Sequence, residues 1–373
     1  MRGLVLTLAT LAIAGSLGGW FSRPGPAPHD WQLPVAVPPP PVPADNPMTA
    51  ARVALGRSLF YDTRLSVNGT VACATCHRQR LAFTDGRARS AGATGELTPR
   101  NAMSLVNTAY NTTFDWANPA VTRLEHQMLT PLFGEDPIEM GLAGHQERVL
   151  AELAADPDYA RLFAAAFPAG ERPYQWQNII AAIASFVRSI VSYDSPYDRY
   201  IRGDNAALTP AAVRGLELFL SEDLECFHCH GGFNFSDSST HDAAAGPPPL
   251  FHNTSLYDID GRGSYPVPNR GLYEITGEPR DMGRFRAPTL RNIARTEPYM
   301  HDGSIATLSA VLDHYAAGGR ATTGEPAPNR SEFVRGFELT EQQRADVLEF
   351  LNSLTDASVL SDPRFADPKR PSG

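Results

Sequence analysis

The chain has 373 residues, 42% of them hydrophobic and 20% charged, a balance that supports packed cores and argues against disorder. Thirty-two basic against 41 acidic residues leave a formal net charge of −9, which disfavours nucleic acid or an anionic membrane surface as the main partner. The length suits two domains of ordinary size.

Taken from the start, Arg2 and the apolar run Leu4 to Leu17 read as a secretory signal over residues 1–20, too short for a typical spanning helix. The other reading is an uncleaved N-terminal anchor, since no clean Ala-x-Ala site follows. Export places the chain in the periplasm, where bare cysteine pairs tend to oxidise. Residues 21–47 are proline-rich and predict an extended, semi-rigid segment without a core of its own.

The folded part is expected to begin at residue 48. In "MTAARVALGRSLFYD", Thr49 is a candidate N-cap, and Val53, Leu55, Leu59 and Phe60 give a helical apolar face. Cys73-x-x-Cys76-His77 follows. The order recurs at "LTPAAVRGLELFLSEDLECFHCH", with Thr209 as N-cap, Pro210 at the first helical position and Cys226-x-x-Cys229-His230 after it. This weak internal repeat argues for duplication. A long helical stretch, "QWQNIIAAIASFVRSIVSYDSPYDRYI", closes the first half. "RGDNAALTP" reads as the linker, and "LTEQQRADVLEFLNSL", with Thr340 and Gln343 in capping-box spacing, closes the second half. The expected architecture is mainly α with long loops: a first domain over 48–203 and a second over 204–373, the latter ending in a short tail.

All four cysteines fall in the two Cys-x-x-Cys-His motifs, the attachment signature of c-type haem. The two thiols add to the haem vinyl groups, and the next imidazole becomes an axial ligand of the iron. A four-thiolate zinc site leaves the two histidines unexplained. A thioredoxin-like pair needs a βαβ context that is missing. A disulfide across two residues is strained. Two covalent haems, with His77 and His230 as proximal ligands, are therefore expected.

From about Met48 to Leu354 the chain resembles the bacterial di-haem cytochrome c peroxidase family, which includes the MauG-type enzymes. The motifs are "LGRSLFYDTRLS", "CATCHRQRLAFTDG", "PRNAMSLVNTAYN", "FDWANP", "LEHQMLTPLF", "FRAPTLRNIARTEPYMHDGS" and "TLSAVLDHY". It is most similar to the MauG-like branch, including the di-haem enzymes of methanobactin-type gene clusters. The resemblance implies two tandem class I cytochrome c-like domains. It also implies that the first haem meets peroxide and the second handles electrons.

Residues 78–100 contain no His or Met, which resembles the branch whose first haem has an open face. A ligand from His126 or His145 stays open. The resemblance assigns Gln127, Glu139 and Pro131 to the peroxide pocket, although Gln127 and Glu139 are spaced more widely here. A carboxyl there assists O–O cleavage by moving a proton; the bland reading of Glu139 is a surface-loop acid. Trp116 matches the tryptophan between the haems, against a plain core residue. Asn101, Thr296 and Pro298 match a calcium site of hard oxygen donors. Tyr315 lies fourteen residues after His301, where MauG-type enzymes place a tyrosine ligand of the second haem and the other peroxidases a Met. His314 and Met300 are the alternative ligands.

The implied activity is oxidation by hydrogen peroxide, through a high-valent di-haem state, of residues of a partner protein, with tryptophan as precedent. The alternative is a cytochrome c peroxidase fed by a small electron-carrier protein. A non-catalytic electron carrier is the third reading, and an open iron would exclude it.

Overall fold

A computed structural model describes residues 27–168, 172–241, 248–320 and 326–369; the expected signal segment lies outside them. Among the described residues helices dominate. The strand content is one antiparallel pair, His252–Asn253 against Arg284–Phe285, with His252 opposite Phe285.

Two crossed helix pairs organise the chain. Ala50–Phe60 packs on Trp176–Ser189, and Pro210–Phe219 packs on Glu341–Ser353. The starts of three of these helices follow from sequence. Thr49 and Thr209 accept hydrogen bonds from the backbone N–H of Arg52 and Ala212, and Thr340 forms a reciprocal capping box with Gln343. The crossings depend on glycine. A Cβ on Gly56 would stand 1.8 Å from the Ala182 carbonyl oxygen, and one on Gly215 would stand 2.0 Å from that of Asp346. A glycine in a helix costs roughly 0.5–1 kcal/mol relative to alanine; here it is what lets the backbones touch.

Each pair carries its own apolar core. Leu55, Leu59, Phe60, Ile183 and Phe186 are buried in the first, and Phe219, Val347, Phe350 and Leu351 in the second. A smaller cluster of Leu256, Tyr265, Phe285, Tyr299 and Ile305 has Trp116 packed against it.

The expected long helix over 175–201 is a correction. It stops at Ser189, and a separate helix, Pro196–Ile201, starts after a break. Pro196 disfavours helical backbone in the residue before it. Ser195 instead caps the new helix, in a capping box with Asp198.

The described residues nearest each end, 27–47 and 355–369, lie on the body of the molecule. In the proline-rich stretch, Trp31, Leu33 and Val37 pack against Tyr110 and Tyr193, and the Tyr110 hydroxyl donates to the Pro38 carbonyl at 2.8 Å. Asn46 donates to Glu125 and to the Ala181 carbonyl at 2.7 and 2.9 Å. The tail expected on the second half returns to the first: Val359 and Phe365 are buried in its core, and the Tyr61 hydroxyl donates to the Phe365 carbonyl at 2.7 Å.

Candidate functional site

The first motif forms a single helical turn, Cys73–Cys76, closed by the His77 N–H donating to the Cys73 carbonyl at 3.0 Å. The following loop folds back: Arg78 N–H donates to the Thr84 carbonyl, and Ala82 and Phe83 take left-handed backbone, with φ of 49° and 61°. That turn carries the Phe83 carbonyl to 2.8 Å from His77 Nδ1. A carbonyl at Nδ1 fixes the tautomer that leaves Nε2 free for a metal. Burial lowers the His77 pKa, favouring the neutral ring that a metal requires. Both cysteines are free; burial pushes the Cys73 thiol up to about 12 and raises that of Cys76.

The second motif repeats this in the turn Phe227–His230. Its His230 N–H donates to the Cys226 carbonyl at 2.9 Å, and His230 Nδ1 lies 3.2 Å from the Phe235 carbonyl. Phe235 is again left-handed, with φ of 49°, and burial again lowers the pKa of His230 and pushes the Cys226 thiol up to about 12. The phenylalanines open "FTD" at 83–85 and "FSD" at 235–237, a repeat that sequence reasoning passed over.

His230, Cys226 and Cys229 line a largely apolar cavity of about 190 Å³, which Tyr315 also lines. Tyr315 sits near the end of the helix Leu308–Ala316, capped by Thr307. Burial, with the cysteine thiols nearby, raises its phenol pKa well above the ordinary range. Of the alternative ligands, His314 is buried with its Nε2 held 2.9 Å from the Thr254 carbonyl, whereas Met300 does line the cavity.

A smaller cavity of about 70 Å³ is lined by Asn101, Thr296 and Pro298, so the three calcium candidates share one wall. Asn101 also ties the neighbourhood together. Its N–H donates to the His301 carbonyl at 2.8 Å, its side-chain amide donates to the Arg87 carbonyl at 2.7 Å, and its own carbonyl accepts the Trp116 indole N–H at 3.0 Å. Trp116, Arg286 and Met300 line both cavities.

Near the first motif, Glu139 is half-buried and its carboxyl makes no hydrogen bond; burial raises its pKa. Its charge acts on both the Cys73 and Cys76 thiols, so it lies near the first motif. The backbone around it is pinned: Ala93 N–H donates to the Glu139 carbonyl at 2.6 Å, and Met140 N–H to that of Pro131 at 2.9 Å. A Cβ on Gly92 would lie 2.0 Å from the Ile138 carbonyl oxygen, so only glycine permits this approach. Gln127 ends the short helix Leu124–Gln127, and no hydrogen bond joins it to Glu139. His126 and His145 are both exposed.

Comparison with known proteins draws these features together. The model of the di-haem cytochrome c peroxidase family matches residues 50–206. The methylamine utilization protein MauG of Methylorubrum extorquens is 36% identical over 90% of this chain and 83% of its own length. A cytochrome-c peroxidase of Denitromonas iodatirespirans is also 36% identical, over 90% of each chain. The crystal structure of a MauG-like protein associated with microbial copper homeostasis superposes with a TM-score of 0.89 at 51% identity, covering 92% of this chain and all (100%) of that one.

The chain belongs to the di-haem cytochrome c peroxidase family.

As a di-haem peroxidase it has two Cys-x-x-Cys-His sites that fit c-type haem. The thiols are unpaired, each histidine holds Nδ1 to a carbonyl, and an apolar cavity stands beside His230. The peroxidase also uses residues that sequence reasoning left aside. Gly56 and Gly215 set the helix crossings, Phe83 and Phe235 orient the histidines, and Arg286 lines both cavities. The signal for the first two pairs was their recurrence in equivalent places of the two halves; Arg286 carried no such signal.

Proposed function

We propose that this di-haem peroxidase is a MauG-like oxidoreductase of the periplasm that uses hydrogen peroxide to oxidise residues, tryptophan among them, of a partner protein. Residues 48–203 and 204–373 are read as two tandem class I cytochrome c-like domains. The observation that carries the reading is Tyr315: it lines the same cavity as His230, at the position where the resemblance puts the MauG-type ligand. The 51% identity to a MauG-like protein supports it.

When bound, the two haems supply iron that reduces peroxide and holds the oxidising equivalents. His77 and His230 would hold the irons through Nε2, which their Nδ1 contacts leave available, and Tyr315 would offer a phenol oxygen to the second. A phenolate is a hard anionic donor, which favours oxidised iron where a thioether favours reduced iron. Glu139, with no hydrogen-bond partner and a raised pKa, takes a proton from peroxide and returns it to the departing oxygen. Pro131 and Gln127 wall that pocket. Trp116 relays charge between the two sites through its indole. Asn101, Thr296 and Pro298 hold one calcium ion at the seam, and the Asn101 carbonyl fixes the indole at 3.0 Å.

The second reading, a cytochrome c peroxidase fed by an electron-carrier protein, draws on the peroxidase relatives at the same identity. One experiment separates the two. Peroxide is added to the diferric holoprotein without prior reduction, and both haem spectra are followed. Changes at both haems, with no steady turnover of reduced cytochrome c, support the MauG-like reading. A requirement for one reduced haem, followed by brisk turnover of cytochrome c, gives the function to the ordinary peroxidase.

A further inference from the structure

Among the described residues three arginines are buried: Arg188, Arg286 and Arg291. Two have carboxylate partners. Arg188 makes two bonds to Glu125 at 2.8 and 2.7 Å, and Arg291 places Nη1 2.9 Å from both oxygens of Asp198. Arg286 has none. It is 4% exposed, and its contacts are the Met103 sulfur at 3.1 Å and the Asp115 backbone carbonyl at 3.4 Å. No carboxylate oxygen pairs with it directly, although the charges of Asp115 and Asp237 act on it from further off; a buried cation without an ion-pair partner is expensive, and burial lowers its pKa to about 10.

His301 presents a related anomaly. It is 5% exposed and stacked flat on Phe285 at 3.6 Å between centroids, and its Nε2 has no hydrogen-bond partner. Buried polar atoms of this kind nearly always have a partner. Arg286 and His301 line the same cavity as Cys226, Cys229 and His230. The carboxylate on that lining, Glu225, is already paired with Arg335 and with His228. The cavity therefore offers a guanidinium without an ion-pair partner and an imidazole nitrogen without a hydrogen-bond partner to whatever fills it. Haem c brings two carboxylate side chains.

We propose that Arg286 and His301 are the anchors of the carboxylates of the haem held by Cys226, Cys229 and His230, an inference that rests on reading this motif as a haem site. Arg286 supplies charge-assisted bonds, which are roughly twice as strong as neutral ones. His301 adds a donor from a ring whose orientation Phe285 fixes. Because Arg286 also lines the cavity of the three calcium candidates, the haem carboxylate adds to the screening that Asp115 and Asp237 give it there. These are positioning residues: they set the seat and the potential of the haem.

The test uses holoprotein with its haems counted by pyridine spectra. Wild type is compared with Arg286→Gln, Arg286→Lys and His301→Phe by resonance Raman spectroscopy of the haem carboxylate bending bands and by potentiometry of the second haem. Arg286→Gln should shift a bending band and move the ferric-to-ferrous ratio at fixed potential roughly tenfold toward ferric, about 59 mV for one electron. Arg286→Lys should restore most of both. His301→Phe, which keeps the stack, should shift a bending band with less change in potential. Two bound haems with bands and potential unchanged in Arg286→Gln would overturn the proposal. A wild type lacking haem at Cys226 and Cys229 would instead overturn the reading of the site. If Arg286→Gln does not mature, a crystal structure of wild-type holoprotein decides. Haem carboxylate oxygens within about 3.2 Å of Arg286 and His301 Nε2 support the anchors, and their absence there refutes them.

Discussion

The two Cys-x-x-Cys-His sites are alike in the turn that holds a histidine and unlike in the residues gathered around it. On the shared side, each histidine Nδ1 meets the carbonyl of a left-handed phenylalanine, and each supporting helix pair closes on a glycine. Around that turn, the first site has Glu139, half-buried with no hydrogen bond on its carboxyl among the described residues, whereas the second has Tyr315 on the wall of an apolar cavity. The repeated elements build a holder for haem. The unrepeated segments, 127–139 and 300–315, carry the residues to which the proposed function gives different chemistry.

The sharpest way to break that contrast is to remove the tyrosine. Tyr315→Met should abolish oxidation of the partner protein while peroxide is still consumed, and the spectral response should be confined to the first haem; rapid-mixing spectroscopy with a mass-spectrometric assay of the partner reads both. Glu139→Gln comes next. The first site should lose roughly two to four orders of magnitude in its rate with peroxide, measured by stopped flow. Burial raises the Glu139 pKa, and the ionised form is the one that accepts the proton. The wild-type rate should therefore fall on acidification at a higher pH than for an exposed glutamate, and the Gln variant should lack this fall.

Asn101→Ala probes the seam between the sites. It should weaken calcium binding at least about 10-fold, by comparison with losses at outer-shell partners. It should also perturb both haem spectra, as should chelation of the wild type; activity that survives rigorous calcium removal would break the assignment. The smallest effects are on the shared side. Gly56→Ala and Gly215→Ala each place a Cβ within 2.0 Å or less of a backbone carbonyl, and each should cost about 1–3 kcal/mol in denaturant titrations. Similar losses at both positions would sharpen the parallel between the halves, and a large inequality would weaken it.

The caps at Thr49, Thr209 and Thr340, the helical character and both motifs were readable because each rests on a local pattern. The break after Ser189 was missed because an apolar run outweighed the single signal of Pro196. Tyr315 was singled out by the resemblance, which places a tyrosine fourteen residues after His301, yet nothing in sequence says that it shares a cavity with His230. Arg286 lies within the motif "FRAPTLRNIARTEPYMHDGS", yet nothing in sequence says that it is buried without an ion-pair partner. Gln127 remains a residue that the resemblance singles out and to which the structure gives no bond with Glu139.

The return of the C-terminal segment bears on the order in which the molecule is completed. Val359 and Phe365 belong to the core built on Ala50–Phe60, and Gln79, two residues beyond His77, donates to the carbonyls of Val359 and Asp362 at 3.0 and 2.8 Å. The half of the chain synthesised first therefore lacks part of its interior until residues 359–365 are made, and a product truncated after the second helix pair would leave the older half with an open apolar face.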